Sequence, residues 1–225
     1  PPTSSNRDTK LFRYICELTE PVDGEVLQRA LEKTVDEFPL YKSILKKGLF
    51  WYYFEESNLR PQVLEENLPV CAPIYNVDKH GLLFRVSYFK HRINLEIFHA
   101  LADGSGALQF LRAMVFTYLK MRYGLSGRLA DYDASQDQKD LDAFYKYYDK
   151  KESVSKVKRH RAYRIRGQRL PNGLLGITEG FLSVSAVLEK AHDYNATLSE
   201  FLIALLICSI YDGMAVRERV HPVVI

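Results

Sequence analysis

The chain has 225 residues, of which 47% are hydrophobic and 12% aromatic, and its formal net charge is +3. This composition excludes a disordered chain and is sufficient for a sizeable core in one large domain or two small ones. The longest apolar run, residues 201–211, is shorter than the roughly 20 residues that span a bilayer, and no signal segment opens the chain, so we predict a soluble protein without a membrane span.

The first predicted elements are a strand and a helix. Residues 11–20 have the composition of a strand. Apolar residues then recur at helical spacing from Val26 to Phe38. Asp23 is placed to cap this helix, and Pro39 is placed to stop it.

The next part of the chain predicts a hairpin, a connection and two further strands. Residues 41–47 and 49–56 form the predicted hairpin, because aromatic and β-branched residues dominate both arms. Residues 67–76 contain two prolines and predict a connection without regular structure. Residues 82–89 and 93–98 predict two more strands.

A long helix is predicted to follow these strands. The second strand is expected to end at His99, and residues 90–92 are expected to join it to the first. From Gly104 apolar residues recur at helical spacing to about Tyr123, and Gly124 is a stop signal.

The last part of the chain predicts further loops, helices and strands. They are a loop over 124–140, a short aromatic helix over 141–151, a strand over 177–185, a helix over 185–194, a largely buried helix over 197–212 and the start of a strand at 221–225. Strands interleaved with long helices predict an α/β chain, here an α+β two-layer sandwich in which helices cover a mixed β-sheet.

The three cysteines, Cys16, Cys71 and Cys208, give no sign of a disulfide framework or a metal site. They are odd in number and lack the paired spacing that is typical of zinc ligands. We therefore predict a cytoplasmic protein with no metal site.

Basic residues are concentrated in residues 150–169. This stretch carries nine Lys and Arg residues against one acidic residue, and the remaining 22 basic and 27 acidic residues give the rest of the chain a net charge of −5. Its single aromatic residue, Tyr163, is too few for the stacking that binds single-stranded nucleic acid. We predict no nucleic-acid partner and interpret the stretch as a solvated connector, with a phosphate-facing patch as the alternative.

One motif, His-x-x-x-Asp-Gly, begins at His99. Strand alternation places His99 on the same apolar face as Leu95 and Ile97. Partial desolvation there would keep an imidazole neutral and able to accept a proton near neutral pH. A general base of this kind takes a proton from a hydroxyl or amine that attacks an acyl carbonyl, which is worth roughly 10²–10⁴ in rate.

Asp103 and Gly104 complete the motif, and Asp103 has two possible roles. It could cap the following helix, or it could pair with an Arg from elsewhere and fix the loop that carries His99. Gly104 suits a backbone turn that a side chain would obstruct. The alternative for the motif as a whole is a core histidine at a strand end, followed by an Asp that caps a helix.

Several segments together resemble the acyl-CoA-dependent acyltransferases related to chloramphenicol acetyltransferase, condensation domains and plant BAHD enzymes, which share the His-x-x-x-Asp-Gly motif. The match in order and spacing is closest to the bacterial alcohol-acetyltransferase-like branch, and it extends over nearly the whole chain. The segments are residues 20–48, 83–111, 162–173 and 197–206.

This resemblance implies an assignment for the whole chain. Residues 1–225 would be an N-terminal lobe of chloramphenicol-acetyltransferase-like fold, with about 124–162 as a connector within it and a second lobe outside this chain. His99 would be the general base, with Asp103 and Gly104 as structural support of the site. The co-substrate would be an acyl-CoA such as acetyl-CoA, with no permanently bound cofactor, and the acceptor would be a small alcohol or amine in a tunnel between the lobes.

The chain departs from the resemblance at one position beside the motif. Condensation domains and chloramphenicol acetyltransferase carry a second His directly before the catalytic one, and this chain has Phe98 there. The alternative function is therefore a non-catalytic lobe that acts as a binding or docking module. Because a tunnel between two lobes needs both, we also expect residues 1–225 alone to show no acyl transfer above background.

Overall fold

A computed structural model describes residues 9–75, 80–127, 161–168, 170–171 and 174–224. The chain divides into two compact units. The first unit comprises residues 1–148 together with 171–175, and the second comprises residues 149–170 together with 176–225.

The first unit contains a mixed sheet and a hairpin. Its strands are β1 (Leu11–Glu17), β2 (Ser43–Lys47), β3 (Tyr52–Glu56), β4 (Val63–Glu65), β5 (Phe84–Phe89) and β6 (Arg92–Phe98). Four of them form a sheet in the order β1-β6-β5-β4, in which β4 is parallel to β5 and the other pairs are antiparallel. The remaining two, β2 and β3, form the predicted antiparallel hairpin.

Two helices of the first unit begin and end where local signals predict. Helix α1 (Gly24–Glu37) is capped by Asp23, whose carboxylate accepts hydrogen bonds from the backbone of Glu25 and Val26 at 3.1 Å. Helix α2 (Gly104–Tyr123) is followed by Gly124, whose φ of 62° is a left-handed conformation that favours glycine.

The core lies where one face of the four-stranded sheet meets α1 and α2. Strand pairing sets Leu95 of β6 opposite Tyr14 of β1 and Val86 of β5, so the apolar residues of three strands share this face. Leu31 of α1 and Phe110 of α2 belong to the same continuous cluster, and both are fully buried. The α+β fold with a helix-covered mixed sheet is therefore confirmed.

The opposite face of the sheet carries a buried charged cluster. Glu96 is 1% exposed, and it accepts hydrogen bonds from Arg13 Nε at 2.8 Å and Arg85 Nε at 2.9 Å. Its carboxylate also accepts the backbone N–H of Cys71 at 2.7 Å, and Arg13 binds Glu66 at 2.5 Å. The cluster thus ties the chain after β4 to three strands of the sheet and compensates the buried carboxylate with two guanidinium groups.

The second unit contains two helices with side-chain caps. Helix α3 (Val184–Asp193) is capped by Ser183, and helix α4 (Leu198–Asp212) by Thr197. Thr197 forms a capping box with Glu200, because each side chain bonds the backbone of the other residue. Both helices were predicted, over 185–194 and 197–212, and are confirmed. A short 3-10 turn follows at Val216–Glu218.

The strand predicted over 177–185 is wrong. Residues 174–183 have no regular structure, and α3 begins at Val184 because the Ser183 hydroxyl accepts the N–H of Ala186 at 3.4 Å. The strand predicted to start at 221 is also absent from the described residues 221–224. Strand composition is insufficient where no neighbouring strand supplies hydrogen bonds.

The remaining differences concern α4, β4, β6 and residues outside the description. Helix α4 was expected to be largely buried, but none of its residues is. The three-residue β4 was not predicted, and β6 begins at Arg92 and ends at Phe98 rather than spanning 93–99. The predicted helix 141–151, and all of the loop 124–140 beyond residue 127, lie outside the described residues.

Two helices of the second unit bear on whether the described residues could cross a membrane. Among the described residues, no single helix is long and apolar enough to cross a membrane. Helices α3 and α4, which are bent by 80° relative to each other, satisfy that requirement only when they are taken together.

Candidate functional site

The His-x-x-x-Asp-Gly motif occupies the connection between β6 and α2. Its first residue, His99, donates its backbone N–H to the carbonyl of Lys10 at 2.8 Å, which extends the pairing of β1 and β6 by one step. Two residues on, Leu101 donates to the carbonyl of Phe98 at 2.8 Å and is itself buried. The backbone is therefore fixed on both sides of His99.

The His99 side chain lies outside the core. It is exposed, and the Phe12 ring lies beside it with a centroid separation of 5.1 Å. No hydrogen bond to its imidazole is found within the described parts of the chain. The expected desolvation of His99 is therefore wrong for this chain, because the apolar face ends with the strand, and the alternative of a core histidine is wrong for the same reason.

Asp103 acts as the cap of α2. Its Oδ1 atom accepts the backbone N–H of Gly106 at 2.8 Å, and its carbonyl accepts the N–H of Ala107 at 3.0 Å. Of the two roles predicted from the sequence, capping is therefore the one that the structure shows. The cap fixes where α2 begins, and with it the length of the connection that carries His99.

Gly104 lies at a close approach of the Tyr14 side chain. The Tyr14 hydroxyl donates a hydrogen bond to the Gly104 carbonyl at 3.2 Å. A Cβ atom at position 104 would lie only 3.2 Å from the same hydroxyl, which is tighter than ordinary contact. The absence of a side chain thus leaves room for the contact by which β1 holds the start of α2, and Gly104 is the first residue of that helix.

Tyr41 lies near the motif but is unsuited to proton transfer. Its ring stacks on Phe110 with a centroid separation of 3.9 Å and an interplanar angle of 7°. Burial raises the pKa of the Tyr41 phenol, and the charge of Asp103 raises that pKa further. Its hydroxyl has no hydrogen-bond partner within the described residues. Tyr41 therefore stays protonated and serves packing.

The thiols of the first unit are poor nucleophiles. Cys16 is half-buried and Cys71 is buried, and all three cysteines are free. Burial raises the pKa of both Cys16 and Cys71, and the Glu96 carboxylate raises that of Cys71 further. In the described parts of the chain, no group of three or more His, Cys, Asp or Glu side chains could hold a metal ion.

Two residues of the site, Phe12 and Tyr14, were not predicted. Both are on β1, and the strand pairing sets them opposite Ile97 and Leu95 of β6. Alternation in the sequence already indicates that Phe12 and Tyr14 share a face. The sequence has no signal for which strand β1 pairs with, so their contacts with the motif could not be derived from it.

No protein-family model and no curated protein matches this chain. Similar solved structures include the starter condensation domain of rhizomide synthetase RzmA, which is 14% identical with a TM-score of 0.45 over 56% of this chain and 35% of that one. A mutant of that domain in complex with C8-CoA is 13% identical, with a TM-score of 0.46 over 52% and 32% of the two chains.

A further similar structure is VibH, a condensation enzyme, which is 18% identical with a TM-score of 0.40 over 54% of this chain and 32% of that one. This chain therefore matches about a third of the length of these proteins. With identities below 20%, the chemistry of the site has to be derived from its own residues.

Proposed function

We propose that this chain carries the general base, His99, of an acyltransferase that moves an acyl group from an acyl-CoA thioester to an alcohol or amine. The observation that carries the proposal is the exposed His99 imidazole on a backbone that is hydrogen-bonded to β1 and followed by a capped helix. A histidine kept for packing would be buried, whereas a base has to reach its substrate.

The proposed reaction needs one proton acceptor at His99. As the acceptor's oxygen or nitrogen attacks the thioester carbonyl carbon, its proton passes to an imidazole nitrogen of His99. The tetrahedral intermediate then collapses, the carbon–sulfur bond breaks, and the imidazolium returns the proton to the leaving thiolate. Acyl transfer is complete, and His99 is neutral again for the next cycle.

The other residues of the motif are positioning residues in this proposal. Asp103 caps α2, and the Gly104 carbonyl accepts a hydrogen bond from the Tyr14 hydroxyl. The connection between β6 and α2 is therefore fixed both by α2 and by β1. The Phe12 ring beside His99 limits the space that the imidazole can occupy. Together these contacts restrict the movement of the His99 imidazole, which favours the one orientation in which it can accept the proton.

An exposed imidazole also needs a surface that excludes water and holds the thioester. We propose that a second lobe of the same polypeptide provides this surface and closes the acyl-CoA site over His99. The exposure of His99 supports this arrangement, because a base for thioester chemistry gains little from a fully solvated position.

The test is an acyl-transfer assay of the complete protein with acetyl-CoA and a panel of alcohols and amines. We expect His99→Ala to lower kcat about 10²-fold or more. His91→Ala is the matched control, because His91 precedes β6 at the opposite end of the same strand, and it should retain activity. Circular dichroism checks that both variants are folded, and full activity in folded His99→Ala would contradict the proposal.

The non-catalytic alternative has its own outcome in the same experiments. Calorimetry measures coenzyme A binding by the complete protein independently of turnover. Binding without transfer to any acceptor in the panel, and with equal affinity in His99→Ala, would indicate a binding module.

A further inference from the structure

The second unit contains a cleft of about 360 Å³ with a basic lining. The residues that give it its character are Arg161, Tyr163, Arg164, Arg166, Glu218 and His221. Small-molecule sites have volumes of about 300–1,000 Å³, so the cleft is large enough for a compact ligand.

Two contacts hold the walls of the cleft together. Tyr163 donates its backbone N–H to the carbonyl of Pro222 at 3.0 Å. Arg166 forms an ion pair with Glu218 at 3.1 Å. The segment 161–167 is thereby tied to the turn around residues 216–222, and the cleft lies between two linked parts of one unit.

The lining has an excess of positive charge. It contains three guanidinium groups and one carboxylate, and that carboxylate belongs to Glu218, which pairs with Arg166. Within the described residues no ion pair is found for Arg161 or Arg164, and both are exposed. A concave surface with uncompensated positive charge raises the local concentration of anions.

We propose that this cleft binds a small molecule through a phosphate group. A guanidinium group donates two parallel N–H bonds to a phosphate, and Arg161 and Arg164 are available for this. His221 adds a ring nitrogen that can donate, and Tyr163 adds an aromatic side chain at the same cleft. For residues 161–167, the part of the basic stretch that lines the cleft, this supports the phosphate-facing interpretation.

The phosphate could come from inorganic phosphate, a nucleoside diphosphate or coenzyme A, and calorimetry on residues 1–225 separates these sources. The probes are inorganic phosphate, ADP and coenzyme A, each titrated at low ionic strength. At least one should bind, and its affinity should fall as salt is added, because exposed charges are screened.

Variants of the lining test where binding occurs. The double variant Arg161→Gln/Arg164→Gln should weaken binding about tenfold or more, since each lost charge-assisted bond is costly. Arg217→Gln is the matched control, because Arg217 is an exposed arginine of the same unit outside the cleft lining, and it should change affinity less than twofold. Arg164→Lys should fall between wild type and the double variant, because lysine keeps the charge without the fork.

Each outcome decides the proposal or names the source. Equal affinity for all three probes identifies a site for phosphate alone. Equal affinity for ADP and coenzyme A, tighter than for phosphate, identifies a site for a nucleoside diphosphate group. The tightest binding for coenzyme A identifies a coenzyme A site. No binding of any probe at millimolar concentration, or unchanged affinity in the folded double variant, would overturn the proposal. The readout is binding alone, so it stands or fails independently of the role of His99.

Discussion

Helices α1 and α4 show how differently the two units use apolar side chains. Helix α1 is amphipathic and buries six residues, whereas α4 is apolar on nearly all of its faces and buries none. Leu31 of α1 is fully buried, while Leu205 of α4 is 49% exposed. Hydrophobic stabilisation depends on the area removed from water, so the less apolar helix contributes more to its unit.

The same contrast holds for charged side chains. In the first unit a carboxylate, Glu96, is buried between Arg13 and Arg85. In the second unit Arg166 forms an ion pair with Glu218, and 77% of the Arg166 side chain is exposed. The buried charges of the first unit therefore depend on their partners for stability, whereas an exposed pair such as Arg166–Glu218 is screened by water.

The largest expected effect is at the buried charge of the first unit. Glu96→Gln removes the counter-charge of Arg85 and one of the two carboxylate partners of Arg13, and it should lower the free energy of unfolding by about 3–5 kcal/mol. Chemical denaturation measures the loss. Glu55→Gln is the matched control, because Glu55 pairs with Lys46 on the surface and is 44% exposed, and it should change stability little. Equal losses in both variants would contradict the dependence on burial.

A leucine pair tests the contrast between the helices directly. Leu31→Ala removes a fully buried side chain from the core and should cost about 2–5 kcal/mol of unfolding free energy. Leu205→Ala removes the same atoms from an exposed position and should cost less than about 1 kcal/mol. Denaturation followed by circular dichroism compares the two variants at several protein concentrations. A comparable loss for Leu205→Ala would show that α4 is covered in solution.

A smaller effect is expected at the turn of the candidate site. Gly104→Ala places a Cβ atom 3.2 Å from the Tyr14 hydroxyl, which would have to shift by a few tenths of an ångström while bonded to the Gly104 carbonyl, so the variant should lose about 1 kcal/mol of unfolding free energy. Gly106→Ala is the matched control in the same helical turn, where the nearest atom lies at 3.4 Å. Adding Tyr14→Phe to Gly104→Ala removes the crowding atom and should recover part of the loss. If it recovers none, the close approach of Tyr14 is not the cause.

The smallest effect concerns the cap of α1 and depends on pH. The hydrogen bond from the Val26 backbone N–H holds the pKa of Asp23 below its ordinary value, and the charge of Arg122 lowers that pKa further. Asp23→Ala should therefore cost about 1 kcal/mol at pH 7.

This stabilisation by Asp23 is present above the unfolded-state pKa of about 3.9 and is lost as pH falls through the lower folded-state pKa. The difference in stability between wild type and Asp23→Ala should therefore narrow as pH falls below about 3.9. Asp23→Asn should keep most of the cap without the pH dependence. A constant difference between wild type and Asp23→Ala at all pH values would exclude a role for the charge.

The residues of the candidate site were predicted from the sequence, but the contacts around them were not. The His-x-x-x-Asp-Gly spacing indicated His99, Asp103 and Gly104, and the structure places them in one connection. The contact of Tyr14 with Gly104 was not predictable, because it depends on β1 pairing with β6 from more than 70 residues away. Spacing along the chain contains no information on that pairing.

The sequence by itself determined where the long helices of this protein begin. Asp23, Asp103, Ser183 and Thr197 each start a helix by accepting backbone N–H groups within a few residues, and that chemistry is present in the sequence itself.

Only the tertiary structure decided the strand order, the burial of Glu96 and the exposure of α4. A strand at 177–185 did not form and a three-residue β4 did, although their compositions suggest the reverse. The physical reason is that a strand gains its hydrogen bonds, and an apolar face its stabilisation, from partners distant in sequence.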